Sequence, residues 1–299
     1  MPRKILFFIN PVSGTKNKLV LEKKIIERCE ERDIAFQILF TSKEGDYQFL
    51  RDKIKEEEIT DIVICGGDGS IRPLIAALLN VEVNLGILPL GSGNGLAMSA
   101  RIPRSIDKAL EVIFNGTSMM ADAYTINGEI CCHLSGLGFD AKVSHEFAQQ
   151  KNRGLNTYIR EFVKAFMKVK SYEFEIFLED QWQKVNGFCI CIANSNQFGN
   201  NFKIAPGASI CDGLLDIIVA QKTSKVNILF QLLKHIYSGK VINASADKNK
   251  TILYYQAKNI KVKNVQHALL HLDGDPVPTP EIVEAQILPA AFRLIVPAG

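Results

Sequence analysis

Ile62-Val63-Ile64-Cys65-Gly66-Gly67-Asp68-Gly69-Ser70 is the stretch that decides the fold of this chain. Its apolar, β-branched start reads as a strand buried on both faces, a habit of parallel sheets. The run stops in glycines around one acid, and Ile71 to Leu79 then takes up helical spacing. Glycines at such a strand end let main-chain N–H groups approach phosphate oxygens, and the start of the helix adds a favourable dipole. An acid among phosphates is repelled unless a cation mediates, so Asp68 is expected to engage hydrated Mg²⁺. The plainer reading of the same residues is a tight turn that needs glycine for positive φ.

Two neighbouring segments repeat the pattern. Ile87-Leu88-Pro89-Leu90-Gly91-Ser92-Gly93-Asn94-Gly95 is again a strand running into a glycine loop, with Ser92 and Asn94 as small polar groups. Lys4 to Asn10 is an apolar strand that runs into Asn10-Pro11-Val12-Ser13-Gly14. The second loop is not a dinucleotide fingerprint, because Leu96 occupies the third glycine position, and the chain has no GxxxxGK[ST] phosphate loop. One loop of this kind is weak evidence. Three after successive strands of one sheet would surround a common point.

Outward from these loops, strands at Lys4–Asn10, Ile34–Phe40, Asp61–Cys65 and Leu85–Leu88 alternate with helices. The helices expected are one with Leu19, Ile25, Ile26 and Cys29 on its apolar stripe, then Asp46–Glu58, Ile71–Leu79, and one from an N-cap at Ser105 to a stop at Gly116. The alternation predicts an α/β domain, a mostly parallel sheet with helices on both faces. After Ala121 the texture changes. Asn127-Gly128 signals a hairpin, and strands at Ile130–Leu134, Tyr172–Leu178, Val185–Ala193, Leu214–Ala220, Ile252–Tyr255, Ile260–Val262 and Ala268–Leu272 suggest a mainly antiparallel second domain. Helices are expected near Leu155–Val169 and Val226–Tyr237. The domains are placed at 1–122 and 123–287, with 288–299 returning to the first.

With 299 residues, 47% apolar and 22% charged, the chain can bury a sizeable core, which excludes a disordered protein. A net charge of +3 is too small to argue for nucleic acid and suits an anionic membrane as well. No apolar run is long enough to span a bilayer, and Ile5 to Ile9 is too short for a signal peptide. A cytoplasmic protein is therefore expected. The seven cysteines form no CxxC pair and read as reduced, buried small hydrophobes. The five histidines lack metal-ligand spacing and read as structural.

Taken together, these loops resemble those of the diacylglycerol kinase and sphingosine kinase catalytic-domain family, with bacterial lipid kinases among its members. The likeness continues through Gly136-Leu137-Gly138-Phe139-Asp140, Ala205-Pro206-Gly207-Ala208, Asp212-Gly213-Leu214-Leu215-Asp216 and Leu272-Asp273-Gly274-Asp275, so it spans nearly the whole chain. The resemblance implies an NAD-kinase-like nucleotide domain, then a β-sandwich-like acceptor domain, with the active site in the cleft between them. It implies an ATP- and Mg²⁺-dependent kinase of phospholipid biosynthesis that phosphorylates a membrane lipid such as diacylglycerol. The nucleotide would lie against Asn10, Pro11, Val12, Ser13, Gly14, Thr41, Gly66, Gly67, Asp68, Gly69, Ser70 and onward to Pro73, and Ser92, Gly93 and Asn94. A structural Mg²⁺ would be held by Asp212 and by the carbonyls of Ser209 and Leu214. The Asp273-Gly274-Asp275 turn corresponds to the family's proton acceptor, with Asp273 preferred and Asp275 as its neighbour. Without the resemblance, Asp273 reads as a solvated turn acid.

Two departures bear on the acceptor. Arg72 and Pro73 stand where family members often carry Asn and Glu, and Met98 stands where bacterial diacylglycerol kinases commonly have Arg. The Gly91-Ser92-Gly93-Asn94-Gly95-Leu96-Ala97 form is closer to sphingosine kinases, so a sphingoid long-chain base is an alternative acceptor. An NAD-kinase-like soluble enzyme and a non-catalytic lipid or nucleotide sensor are the other readings. Tyr158 to Lys170 interleaves bulky apolar residues with cations, fitting either a helix packed on a sheet or one resting on the inner face of a membrane. Peripheral membrane contact, no nucleic-acid partner and a homodimer as one permitted assembly complete the expectations.

Overall fold

The computed structural model describes residues 2–11, 13, 18–41, 47–150, 155–178, 180–197, 204–221 and 252–299. The chain divides into two compact units, Met1–Ala121 with Ala290–Gly299, and Asp122–Pro289. The helix expected at Val226–Tyr237 lies outside the described residues.

The first unit runs β1 (Lys4–Ile9), α1 (Lys18–Glu30), β2 (Ala35–Phe40), α2 (Leu50–Glu56), β3 (Asp61–Gly66), α3 (Asp68–Leu78), β4 (Asn84–Pro89), α4 (Gly95–Ser99) and α5 (Ile106–Asn115). Strand β1 lies between β2 and β3, and β4 pairs with β3, all parallel. Residues Ile5 to Ile9 and Ile62 to Cys65 are at most 1% exposed, which is why those runs show no polar alternation. On α1 the buried stripe is Leu21, Ile25 and Cys29, spaced four apart, whereas Leu19 is 72% exposed. The expected stripe starts two residues early, about half a turn away from the buried face.

The opposite, N-terminal edge of this sheet is tied by charge. Arg3 gives two hydrogen bonds to the buried Asp61 carboxylate, at 2.9 and 3.1 Å, which also receives Thr60 Oγ1 and Asn84 Nδ2. The same guanidinium donates to the carbonyls of Ile113 and Phe114, at the C-terminal end of α5, where a cation offsets the helix dipole. Ser105 occupies the N-cap position of α5, but its side chain makes no capping bond. Gly116 ends the helix with extended backbone rather than positive φ. Glycine is needed there because a Cβ would lie 2.4 Å from the carbonyls of Val112 and Val296.

The chain leaves this unit through β5 (Thr117–Ile126) and re-enters it in β15 (Ile282–Val296). Between them run β6 (Glu129–Cys131), β7 (Leu134–Gly138), α6 (Phe139–Ala148), α7 (Leu155–Met167), β8 (Tyr172–Leu178), β9 (Gln181–Ala193), β10 (Leu215–Gln221), β11 (Ile252–Ala257), β12 (Asn259–Lys263), β13 (Leu270–Leu272) and β14 (Asp275–Val277). Pairing follows the order β14-β13-β7-β9-β8-β12-β15 and is antiparallel at each step, with β10 joining β9 to β11. The C-terminal half of β9 is flanked by β7 and β10, its N-terminal half by β8. The larger apolar cluster of this unit includes Tyr124, Phe174, Ile190, Ile217, Val262 and Val283, and a second gathers Leu134, Cys191, Ala205 and Ile218. At the far end of β15, Arg293 and Leu294 pair in parallel with Asn84 and Leu85 of β4.

Asn127 and Gly128 have φ of 50° and 88° in a two-residue hairpin between β5 and β6, the conformation that Asn-Gly favours. The single strand expected at Ile130–Leu134 is instead two, broken at Cys132-His133.

Replacing Asp61 by alanine leaves Arg3 facing the sheet edge without its charge partner. A loss of about 2–3 kcal/mol is expected, read as a lower urea midpoint; an unchanged midpoint would show that the clasp contributes nothing.

Candidate functional site

Three strand-ending loops of the first unit are held together by specific bonds. Asn10 N–H donates to the Cys65 carbonyl at 3.0 Å, and Leu90 N–H to the Gly66 carbonyl at 2.8 Å, so the sheet ladder extends into the loops. Asn10 Nδ2 reaches Ser70 Oγ at 2.7 Å, joining the first loop to the second. The second and third loops touch through their backbones. A Cβ on Gly91 would stand 2.7 Å from Gly67 Cα and 2.8 Å from Asn94 Oδ1, and one on Gly67 would stand 3.0 Å from Gly91 Cα. Those two glycines are demanded by the approach of one loop to another.

The acid of the second loop completes the joint. Asp68 begins α3, and its carboxylate accepts N–H from Gly95 at 2.9 Å and from Leu96 at 3.3 Å, the first residues of α4. Asn94 is buried in the left-handed region (φ 56°), and its amide both accepts from and donates to the Gly91 backbone, at 2.8 and 2.7 Å. Asn94 is thus a brace within its loop. Ser92 is exposed, and Gly93 is half-buried beside it. Thr41 extends the end of β2 by donating its N–H to Ile9 O at 3.0 Å. Gly69 is exposed at the start of α3 and Pro11 is exposed in the first loop. Val12 and Gly14 lie outside the described residues.

Two cations near these loops were not singled out from the sequence. Lys18 Nζ donates to the Ser13 carbonyl, and burial holds its pKa below the usual lysine range. Arg104 donates to the carbonyls of Gly93 at 3.1 Å and Ser92 at 3.4 Å. The available signal was a basic residue four positions beyond one glycine loop and nine beyond another, which is too common to select.

The second unit carries the other predicted residues. Asp273 and Gly274, with φ of 51° and 90°, form the two-residue turn between β13 and β14, and Leu272 pairs with Asp275 across it. The Asp273 side chain is 4% exposed. It accepts N–H from Cys132 at 2.9 Å, His133 at 3.0 Å and Leu134 at 3.0 Å, and the Cys132 thiol at 3.3 Å. Four donors match the lone-pair capacity of a carboxylate. Asp273 therefore fastens its turn to the break between β6 and β7. Asp275, the first residue of β14, is half-buried.

Ser209, Asp212 and Leu214 fall in one turn before β10. Asp212 Oδ1 accepts N–H from Leu214 at 3.1 Å, and the buried Asp122 accepts from Gly213 at 2.7 Å. Burial, and then the Asp122 charge, push the Asp212 carboxyl above its ordinary pKa. Asp216 is pushed up to about 6 by burial and by Asp212. Carboxylates close enough for Asp122 to raise Asp212, and Asp212 to raise Asp216, are a setting that a hard cation such as Mg²⁺ fits. Among the described residues, no three His, Cys, Asp or Glu side chains converge as a metal cluster, so carbonyl oxygens would have to supply much of that shell.

Residues 4–126 match the model of the diacylglycerol kinase catalytic domain, and residues 135–296 that of the YegS C-terminal NAD kinase beta sandwich-like domain. A Salmonella arizonae protein named "Probable lipid kinase YegS" is 26% identical over 98% of this chain and 95% of its own length. An uncharacterized Synechocystis protein is 27% identical over 96% of this chain and 69% of its own. A crystal structure described as a diacylglycerol kinase from Bacillus anthracis superposes with a TM-score of 0.72 at 19% identity, covering 98% and 97% of the two chains, which speaks for the fold.

Asp273→Asn puts an amide N–H₂ where main-chain N–H groups now find an acceptor. A loss of roughly 2–3 kcal/mol in unfolding free energy is expected, measured by denaturant titration. Unaltered stability would mean that the carboxylate is not the fastening of this turn.

Proposed function

The chain belongs to the diacylglycerol kinase catalytic-domain family with the YegS-type C-terminal domain, and from that premise we propose that it transfers the γ-phosphate of ATP to a membrane-lipid hydroxyl. Diacylglycerol is the first acceptor to consider, and a sphingoid long-chain base the second. The observation that supports this reading most is the joining of three loops at the ends of adjacent parallel strands by Asn10, Asp68, Gly67 and Gly91. Such strand ends are where open parallel sheets bind ligands, and loop N–H groups with a helix start suit phosphate.

Phosphoryl transfer asks the protein mainly to position the reactants and offset charge. In the proposed reaction the lipid hydroxyl oxygen attacks the γ-phosphorus, the bond to the β–γ bridging oxygen breaks, and ADP leaves. The hydroxyl proton passes to a carboxylate of the Asp273-Gly274-Asp275 turn. We assign that role to Asp275, because the lone pairs of Asp273 are taken by Cys132, His133 and Leu134. Lys18 and Arg104 provide positive charge beside the loops. Mg²⁺, when bound, would neutralise phosphate charge, with Asp68 as its partner near the nucleotide and Asp212, Ser209 and Leu214 as a separate structural site.

A lipid substrate also requires contact with a membrane surface. Helix α7 offers Val163, Lys164 and Arg160, each more than half exposed, while Phe162 and Phe166 stack on one another and pack edge-on against Phe139 of α6. The aromatic stripe thus anchors the helix, and its cationic edge is the part proposed to meet anionic headgroups. Among the described residues no helix is long and apolar enough to cross a membrane.

Radiolabelled ATP offered with diacylglycerol, sphingoid bases and other lipids in mixed micelles should label at least one lipid. Asp275→Asn should lower kcat by about a hundredfold or more without shifting the unfolding midpoint. Absence of transfer to every lipid would reject the reading, and full turnover in Asp275→Asn would reject the assigned base. Adding Mg²⁺ should raise the melting temperature of the wild type and leave Asp212→Asn unmoved; equal shifts in both would place the cation elsewhere.

A further inference from the structure

The Gly136-Leu137-Gly138-Phe139-Asp140 segment has no part in the reaction as described, yet its acid is buried against the turn that carries Asp275. Asp140 opens α6, and its Oδ1 accepts the N–H of Ala141 at 2.8 Å. Its Oδ2 is buried, reached by no other hydrogen-bond donor among the described residues, and faces His271 Nε2 at 3.5 Å. His271 is fully buried on β13, directly paired with Gly136 of β7. A Cβ on Gly136 would lie 1.8 Å from Asp140 Oδ2, so the missing side chain is what gives the carboxylate its seat. Among the described residues, Cys189 and Cys191 on β9 are titratable groups that feel the Asp140 charge. Burial first, and Asp140 second, keep both thiols protonated.

The other ring nitrogen of His271 faces the turn itself. Nδ1 receives the N–H of Gly274 at 3.1 Å. A nitrogen that accepts carries no hydrogen, so in the neutral ring the hydrogen sits on Nε2, toward Asp140. The geometry points to Asp140 and His271 as positioning residues that fix the Asp273-Gly274-Asp275 turn, and so the place of Asp275. The assignment rests on the kinase reading for its catalytic consequence, though the arrangement itself does not. Asp140 selects the ring tautomer, the tautomer leaves Nδ1 able to accept, and that bond holds Gly274 at φ 90° immediately before Asp275. Asp273 grips the turn from one side through the β6–β7 break, and His271 grips it from its own strand.

Two measurements test this. Long-range proton–nitrogen correlation on ¹⁵N-labelled full-length protein reports the tautomer of each histidine ring, with His271→Asn identifying the His271 signals. The hydrogen on Nε2 is expected at neutral pH; a hydrogen on Nδ1, in either a neutral or a charged ring, overturns the inference whether or not the protein is active. In the lipid phosphorylation assay, His271→Phe should lower kcat by about ten- to a hundredfold. KM for ATP and lipid should stay within about twofold. His271→Asn, whose amide oxygen falls near the place of Nδ1, should restore most of the loss. Undiminished kcat in His271→Phe, or no recovery in a folded His271→Asn, overturns the inference. Should His271→Phe not fold, Asp140→Asn must lower kcat and mix the His271 tautomers, or the inference falls. An inert wild type would reject the kinase reading, while the tautomer would still decide the relay.

Discussion

Main-chain N–H groups that lie beyond the last pair of a sheet ladder must find an acceptor, and in this chain carboxylates meet that demand at the decisive points. Asp68 gathers two such groups at the start of α4, and Asp273 gathers three at the break between β6 and β7. Each acid thereby joins segments far apart in sequence: 27 and 28 residues for Asp68, and 139 to 141 for Asp273. A charged acceptor makes a stronger bond than a neutral one and tolerates several donors. The loops that would hold phosphate, and the turn that would hold the proton acceptor, are built on the same device.

This arrangement separates the residues that hold the loops from those left open. In the first unit, the glycines at 67 and 91 are taken up in loop-to-loop contact and Asn94 braces its own loop, leaving Ser92, Gly93 and Gly69 more open. In the second, Asp273 is immersed in donors and Asp275 begins the following strand. Acids two residues apart meet different surroundings because a left-handed turn sends one back into the fold and passes the other on to a strand.

The glycine loops and the alternation of strand and helix were plain in the sequence because each rests on local chemistry. A buried parallel strand is a continuous apolar run, and a two-residue Asn-Gly hairpin needs only its own residues. Long-range facts were not legible. Nothing near Cys132-His133 announces a strand break, since the cause is an acceptor 140 residues on. Likewise, Asp-Gly-Asp gives no hint of which acid turns inward; the resemblance pointed to the turn with Asp273 preferred, and Asp273 is the acid that takes the main-chain donors. The 15-residue β15 runs across the boundary placed at 287/288, and the chain passes through Pro289 with Ala290 in the left-handed region.

The hairpin Asp273-Gly274 admits two residues and no more, because Leu272 and Asp275 are partners in the ladder. Side chains alternate between sheet faces, so inserting or deleting a single residue there would hand the acid's position to its neighbour on the reverse side. A longer acid at 275 alters reach by one carbon while keeping the same outlook. The spacing in this motif is consequently less free to drift than the identity of its last letter.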